Sequence, residues 1–115
     1  MRYADLYAKM EKHSAKRLNV VNPYSDSIYE ALKSAVERDW VIPVLFGEEK
    51  RIREKVKSFD IKNVEIISAD SPENAAEMAV KDISNGSGHL LMKGDIPTAL
   101  FMKPVLNKEW GLRKG

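Results

Sequence analysis

Four short apolar segments alternate with segments of helical periodicity along this chain, and this alternation constrains the fold more than any other feature. The apolar segments lie at residues 18–21, 41–46, 64–67 and 90–92. They are mostly continuous runs, without regular alternation of polarity, as is typical of parallel strands covered on both faces. The pattern therefore predicts an α/β protein built on a three-layer open sheet that is mainly parallel.

Capping and turn residues delimit the helical segments. Asp70-Ser71-Pro72-Glu73 opens one helix in the order of cap, proline and acid, and Asn85-Gly86 ends it. In the last helix, which begins at Pro97, we expect Pro104 to interrupt or restart the helix because proline lacks an N–H donor. The predicted helices cover approximately residues 1–12, 26–39, 48–58, 71–85 and 97–109.

Composition limits the class of protein. The 115 residues fit one α/β domain, 1–115, and the 43% hydrophobic content suits an ordinary core. The sequence contains no cysteine, which excludes disulfides and thiolate chemistry. Neither a signal peptide nor a membrane-spanning run is visible, so we expect a cytoplasmic protein without membrane contact.

Charge patterning argues against a nucleic-acid partner. The net charge is +2, and lysines and arginines are interleaved with acidic residues along most of the chain. In the densest basic run, residues 50–57, Ile52 and Val56 lie four residues apart. This spacing predicts a helix with one apolar face and a solvated charged face.

The carboxyl ends of the four strands are expected at one edge of the sheet, because connections between parallel strands are right-handed. In open α/β sheets ligands bind at this edge, near the point where the strand order reverses. The predicted strand ends place there Asn22, Gly47, Ser68, Asp70, Lys93 and Gly94. His13 and His89 fall elsewhere and are interpreted as structural or solvated.

The segment LLMKGDIPT, residues 90–98, predicts an anion site at that edge. An apolar strand stops at Lys93 and Gly94, and a helix opens near Thr98. Glycine lets backbone N–H groups approach a ligand, lysine adds a positive charge, and the helix start presents unpaired amides. These three residues are therefore candidate phosphate ligands. A solvated lysine at a strand end is the alternative interpretation of Lys93.

Other chemistries lack their motifs. The chain has no GxGxxG after its first strand, no Walker lysine motif and no GxSxG elbow. Asp60, Asp70 and Asp95 are scattered along the chain, so we expect no metal site.

Residues 20–52, VVNPYSDSIYEALKSAVERDWVIPVLFGEEKRI, together with LLMKGDIPT and VLNKEWGLRKG at 105–115, carry a resemblance. They are similar to the amino-terminal part of the phosphate acetyl/butyryltransferase family, and closest to its phosphate butyryltransferase branch. The resemblance implies a truncated first domain like that of isocitrate and isopropylmalate dehydrogenases, from a two-domain acyltransferase. It also implies conversion of a short-chain acyl-CoA and phosphate to acyl phosphate and coenzyme A.

The resemblance also implies roles for individual residues. Lys93 and the amides after Gly94 would hold phosphate or the pyrophosphate of coenzyme A, and Thr98 would donate its hydroxyl. Arg113 would clamp an anion bidentately, although a frayed terminal side chain is an equal alternative. The partners implied are acyl-CoA and phosphate. Coenzyme A is then a substrate or product, with no tightly bound cofactor, and no general base or acyl-chain preference is specified.

Departures from the family pattern modify this expectation. Family members are much longer, so we expect a weakly active or inactive fragment, a truncated product or half of a split enzyme. Pro104 replaces a small helix former and His89 replaces an acid. A sheet with an unprotected edge also predicts a homo-oligomer. The alternatives are a non-catalytic phosphate- or nucleotide-binding module and a pure assembly domain.

Overall fold

A parallel sheet of four strands, flanked by four helices, forms the part of the protein that the computed structural model describes, residues 15–107. In chain order the elements are β1 Lys16–Val21, α1 Asp26–Glu37, β2 Val41–Gly47, α2 Glu49–Phe59, β3 Glu65–Ser68, α3 Pro72–Ser84, β4 Leu90–Lys93 and α4 Thr98–Val105. The predicted amino-terminal helix, His13 and Arg113 lie outside the described residues. None of the described helices is long and apolar enough to cross a membrane.

The strands follow the order β3-β2-β1-β4, and every pairing is parallel. β1 therefore lies inside the sheet, with β2 on one side and β4 on the other. Pro43 is tolerated in β2 because β3 begins to pair only at Val44, so the proline faces just one neighbouring strand, at Leu18.

Successive residues of the inner strands point to opposite faces and build two separate cores. Val20 and Leu45 belong to the core under α1 and α2, whereas Val21 and Phe46 belong to the core under α3 and α4. The expected three-layer open parallel sheet is thus confirmed.

α3 crosses the sheet face on a surface of small side chains. Ala75, Ala76 and Ala79 are fully buried there. One polar side chain of β1 is buried with them: Asn19 donates through Nδ2 to the Ala79 carbonyl at 3.0 Å and to Asp82 Oδ2 at 2.9 Å. These bonds fix the crossover helix to the middle strand.

Pro104 does not interrupt the last helix, and the predicted interruption is wrong. α4 continues through Pro104 and ends at Val105. The proline sits in the final turn, where it removes only the bond that would reach the carbonyl of Leu100. The N–H of Leu106 still donates to the Met102 carbonyl at 3.0 Å.

Candidate functional site at the carboxyl edge of the sheet

A cavity of about 700 Å³ opens at the carboxyl edge, over the ends of β1, β2 and β3. Three residues that the sequence placed at this edge line it, Asn22, Gly47 and Asp70. The cavity is also lined by Tyr24, Arg51 and Asp95, which the sequence pattern did not assign to a ligand site.

Asn22 joins the ends of three strands. Its backbone N–H donates to the Phe46 carbonyl at 2.8 Å, and its carbonyl accepts the Asp95 N–H at 2.7 Å. The residue has a left-handed conformation, with φ of 52°, and is 5% exposed. Asparagine tolerates this conformation better than most residues, which explains its place at the end of β1.

The hydroxyl of Tyr24 packs so closely against Gly47 that a side chain at position 47 would clash with it. Its hydroxyl accepts the Glu48 N–H at 2.9 Å and lies 3.4 Å from Asn22 Oδ1. A Cβ on Gly47 would stand 2.6 Å from that hydroxyl oxygen. The glycine at the end of β2 is therefore explained by the tyrosine packed against it.

Arg51 places a planar cation beside the cavity. Its guanidinium carbon lies 3.8 Å from the centre of the Tyr24 ring, a stacked cation–π distance. One guanidinium nitrogen also donates to Glu48 Oε2 at 2.9 Å, and this bond raises the pKa of Arg51. The sequence pattern of residues 50–57 predicts only a solvated helix face, so it did not indicate that Arg51 stacks on Tyr24.

The carboxylate of Asp95 holds the start of α1. It accepts the backbone N–H groups of Tyr24 and Ser25, both at 2.9 Å, as well as the Ser25 hydroxyl. The bond from that hydroxyl is the main reason that the pKa of Asp95 falls below its ordinary value, and the positive charge of Lys93 contributes. Asp95 is thus an ionised acceptor that already receives three hydrogen bonds, of the roughly four that a carboxylate can accept.

The junction after β4 is stitched to the end of β1. The Gly94 N–H donates to the Val21 carbonyl at 2.9 Å, and a Cβ on Gly94 would overlap that oxygen. The amides of Gly94 and Asp95 are both engaged internally, so neither is free for a ligand. The glycine itself is explained by the close approach of the two backbones.

Lys93 and Thr98 remain accessible at this junction. Both side chains are exposed, and the Lys93 ammonium lies 3.5 Å from the Gly94 carbonyl oxygen. The Phe101 N–H bonds to the Pro97 carbonyl at 3.1 Å, so the preceding amides at the start of α4 lie outside the helical ladder.

His89 lies at the opposite edge and has a structural role there. Its Nδ1 accepts the Arg17 N–H at 3.0 Å, and its own N–H donates to the Arg17 carbonyl at 3.1 Å. These bonds extend the pairing of β1 with β4 by one step. Within residues 15–107, no three histidine or acidic side chains are grouped as a metal site requires.

Known relatives match this chain over nearly its whole length. It is 34% identical, over 98% of its residues, to the probable phosphate butyryltransferase of Bacillus subtilis and to the phosphate butyryltransferase of Clostridium beijerinckii. The same figures hold for the phosphate acetyltransferase of Thermotoga maritima. These matches confirm the resemblance to the phosphate acetyl/butyryltransferase family, although no family model matches the chain. The chain spans 38% to 39% of the length of these relatives.

Solved structures share the fold. A branched-chain phosphotransacylase from Enterococcus faecalis matches 82% of this chain and 33% of its own, with a TM-score of 0.62 and 17% identity. The EutD phosphotransacetylase from Staphylococcus aureus matches 90% and 41%, with a TM-score of 0.63 and 14% identity. At these identities the likeness establishes the α/β fold.

Proposed function

We propose that this chain, a relative of phosphate butyryl- and acetyltransferases, is part of an enzyme that transfers a short acyl group between coenzyme A and phosphate. The sequence match across 98% of the chain carries this proposal. Residues 1–115 would form one α/β domain, part of the first domain of such an enzyme. Acyl-CoA and phosphate are the proposed partners, with no tightly bound cofactor.

The proposed reaction makes specific demands on the site. A phosphate oxygen attacks the thioester carbonyl carbon, a new carbon–oxygen bond forms, and the carbon–sulfur bond breaks. The thiolate leaves with the bonding electrons and takes up the proton that the attacking hydrogen phosphate gives up, which yields free coenzyme A. Phosphate must therefore be held beside the thioester by cations and amides that tolerate its charge.

The junction after β4 supplies such groups. The Lys93 ammonium, the Thr98 hydroxyl and the first amides of α4 would hold the phosphate oxygens, with the positive end of the helix dipole behind them. Gly94 contributes through the close packing that sets this junction against β1. Arg113, outside the described residues, is proposed as a further anion clamp.

A non-catalytic phosphate- or nucleotide-binding module is the second candidate. Asp95, two residues from Lys93, is occupied by three donors and has a lowered pKa. Such a carboxylate is a poor general base, which favours binding without transfer.

Thiol release from butyryl-CoA tests the proposal directly. Because the chain has no cysteine, a disulfide reagent reports only free coenzyme A. From this chain alone we expect at most weak phosphate-dependent release, and any such release should be lost in Lys93→Ala. The control is Lys62→Ala, which removes an exposed lysine from the loop before β3 and should leave release unchanged.

Phosphate binding is tested separately from acyl transfer. Inorganic phosphate that shifts the amide signals of residues 93–99 without thiol release would fit the binding module and equally a half-site that lacks the rest of the enzyme, whereas phosphate-dependent release would exclude the non-catalytic module. Neither release nor shifts at millimolar phosphate would overturn both candidates.

A further inference from the structure

We propose that the cavity beside Arg51 takes an amino-bearing heteroaromatic base, the adenine end of coenzyme A, while the pyrophosphate of the same ligand extends toward Lys93. This inference rests on the proposed function, which makes coenzyme A a substrate.

The position of the cavity suits one end of an elongated ligand. Its volume, about 700 Å³, lies within the range of small-molecule sites. The strand order reverses between β1 and β4, the usual crossing point for nucleotides in open sheets. The cavity lies at the ends of β1, β2 and β3, on one side of the reversal point. Lys93, at the end of β4, lies on the other side. The step from β2 to β4 is two strand spacings, about 10 Å.

A stacking surface borders the cavity. The guanidinium of Arg51 lies 3.8 Å from the Tyr24 ring centre, and its side chain is 55% exposed. The bond to Glu48 holds the guanidinium in place while solvent still reaches the side chain. Guanidinium planes and aromatic rings are the surfaces on which flat bases stack in proteins.

Charge in the cavity disfavours phosphate and favours a hydrogen-bond donor. Glu48, Asp70 and Asp95 line it together with one cation, Arg51, which is already paired with Glu48. The Asp95 carboxylate already accepts three hydrogen bonds from Tyr24 and Ser25. The exposed carboxylate of Asp70 therefore becomes the acceptor for an exocyclic amino group, and the pyrophosphate belongs at Lys93.

The test compares AMP with IMP, which has the same phosphate but a carbonyl in place of the amino group, by ¹H–¹⁵N NMR titration of the 115-residue chain. AMP should bind about threefold to tenfold more tightly than IMP, the value of one hydrogen bond. AMP should shift residues 47–51 and 69–71, whereas inorganic phosphate should shift only residues 93–99.

Two matched variants isolate the stacking surface. Arg51→Lys keeps the charge and removes the planar group, so it should weaken AMP binding about threefold and leave phosphate binding unchanged. Arg53→Lys, on the same helix and paired with Glu49, should change neither affinity.

The outcomes for base and phosphate are separable. Equal affinity for AMP and IMP, or AMP shifts confined to residues 93–99, would overturn the base site and leave the proposed phosphate site standing. Shifts at residues 47–51 without any phosphate effect at Lys93 would support the base site and count against the phosphate site.

Discussion

Asp95 connects two loops that lie 70 residues apart in the chain. Its carboxylate receives three donors from Tyr24 and Ser25, while its own N–H donates to Asn22. A single side chain thereby ties the approach to α4 to the start of α1. The geometry of the Lys93 junction depends on this residue.

Replacing Asp95 with asparagine should lower the free energy of unfolding by about 1 kcal/mol at pH 7, because charge-assisted hydrogen bonds become neutral ones. Urea denaturation measures the change. Asp70→Asn is the control, since Asp70 is exposed at the same edge and should change stability little. Equal effects of the two substitutions would contradict the role given to Asp95.

The contribution of Asp95 should also depend on pH. Its pKa is lower in the folded protein than in the unfolded chain. The stabilisation is therefore complete at a pH above the pKa of the unfolded chain, about 3.9, and is lost as the pH falls through the pKa of the folded protein. The stability difference between wild type and Asp95→Asn should shrink below pH 4. A difference unchanged down to pH 2 would argue against this linkage.

Gly94 and Gly86 should respond differently to alanine. At Gly94 the new methyl would overlap backbone oxygens of Val21 and Asn22, so we expect a loss of about 2 kcal/mol or more. At Gly86 no atom lies within 4 Å of the added methyl group. Only the φ of +88° opposes alanine there, and it should lower the free energy of unfolding by about 1 kcal/mol. Thermal or urea unfolding compares them. A Gly94→Ala protein as stable as Gly86→Ala would refute the close-packing explanation.

Single residues were the least predictable level of this structure. The sequence marks Lys93 and Gly94 because charge and glycine follow an apolar strand. It gives no sign of Arg51 or Asp95, since the ring that Arg51 stacks on and the donors to Asp95 all come from residues 24–25, in a distant segment. Arg51 in particular stands in a run whose period already explains it as a solvated helix face.

At the scale of elements, local signals were sufficient. Each described strand and helix begins within about two residues of its predicted start, because apolar runs and caps act over short distances. The cap of α3 is the clearest case: Ser71 accepts the Asn74 N–H at 3.0 Å, and Pro72 takes the first helical position. Asp70 lies one residue before this cap.

Ser71→Ala should therefore lower the free energy of unfolding by about 1 kcal/mol. The matched control is Ser58→Ala on the exposed face of α2, where alanine is the better helix former and no loss is expected. Chemical denaturation of both variants gives the comparison. A neutral Ser71→Ala would show that α3 does not rely on its cap.

At the scale of the whole molecule, the described sheet has an apolar residue at its open edge. β4 pairs with β1 alone among the described strands, and Leu90 at its start is 45% exposed. Exposed edges of this kind invite pairing with another chain. The expected homo-oligomer is retained as a proposal on this ground.

Sedimentation at micromolar concentration should show association of the 115-residue chain. Leu90→Lys should shift it toward monomer, since a charge on an edge strand opposes pairing. Leu106→Lys, at a residue 50% exposed beyond α4, should leave association unchanged. A monomer at all concentrations would count against the proposal.

Fold class was predictable because β–α alternation and continuous apolar strands leave few architectures. The edge that carries the cavity followed from the parallel direction of the strands, because ligands of open α/β sheets bind at the carboxyl ends. Which loops meet across that edge was not predictable. Hydrogen bonds such as the one from the Gly94 N–H to the Val21 carbonyl join the ends of strands that are far apart in the sequence.

The place of β1 inside the sheet has a consequence for synthesis on the ribosome. β1 and β2 emerge early, but the second side of β1 finds its partner only when β4 has been made, ending at Lys93. At translation rates of about 5–20 residues per second, that side stays bare for several seconds. Chaperone capture of nascent chains should therefore fall once β4 has left the exit tunnel.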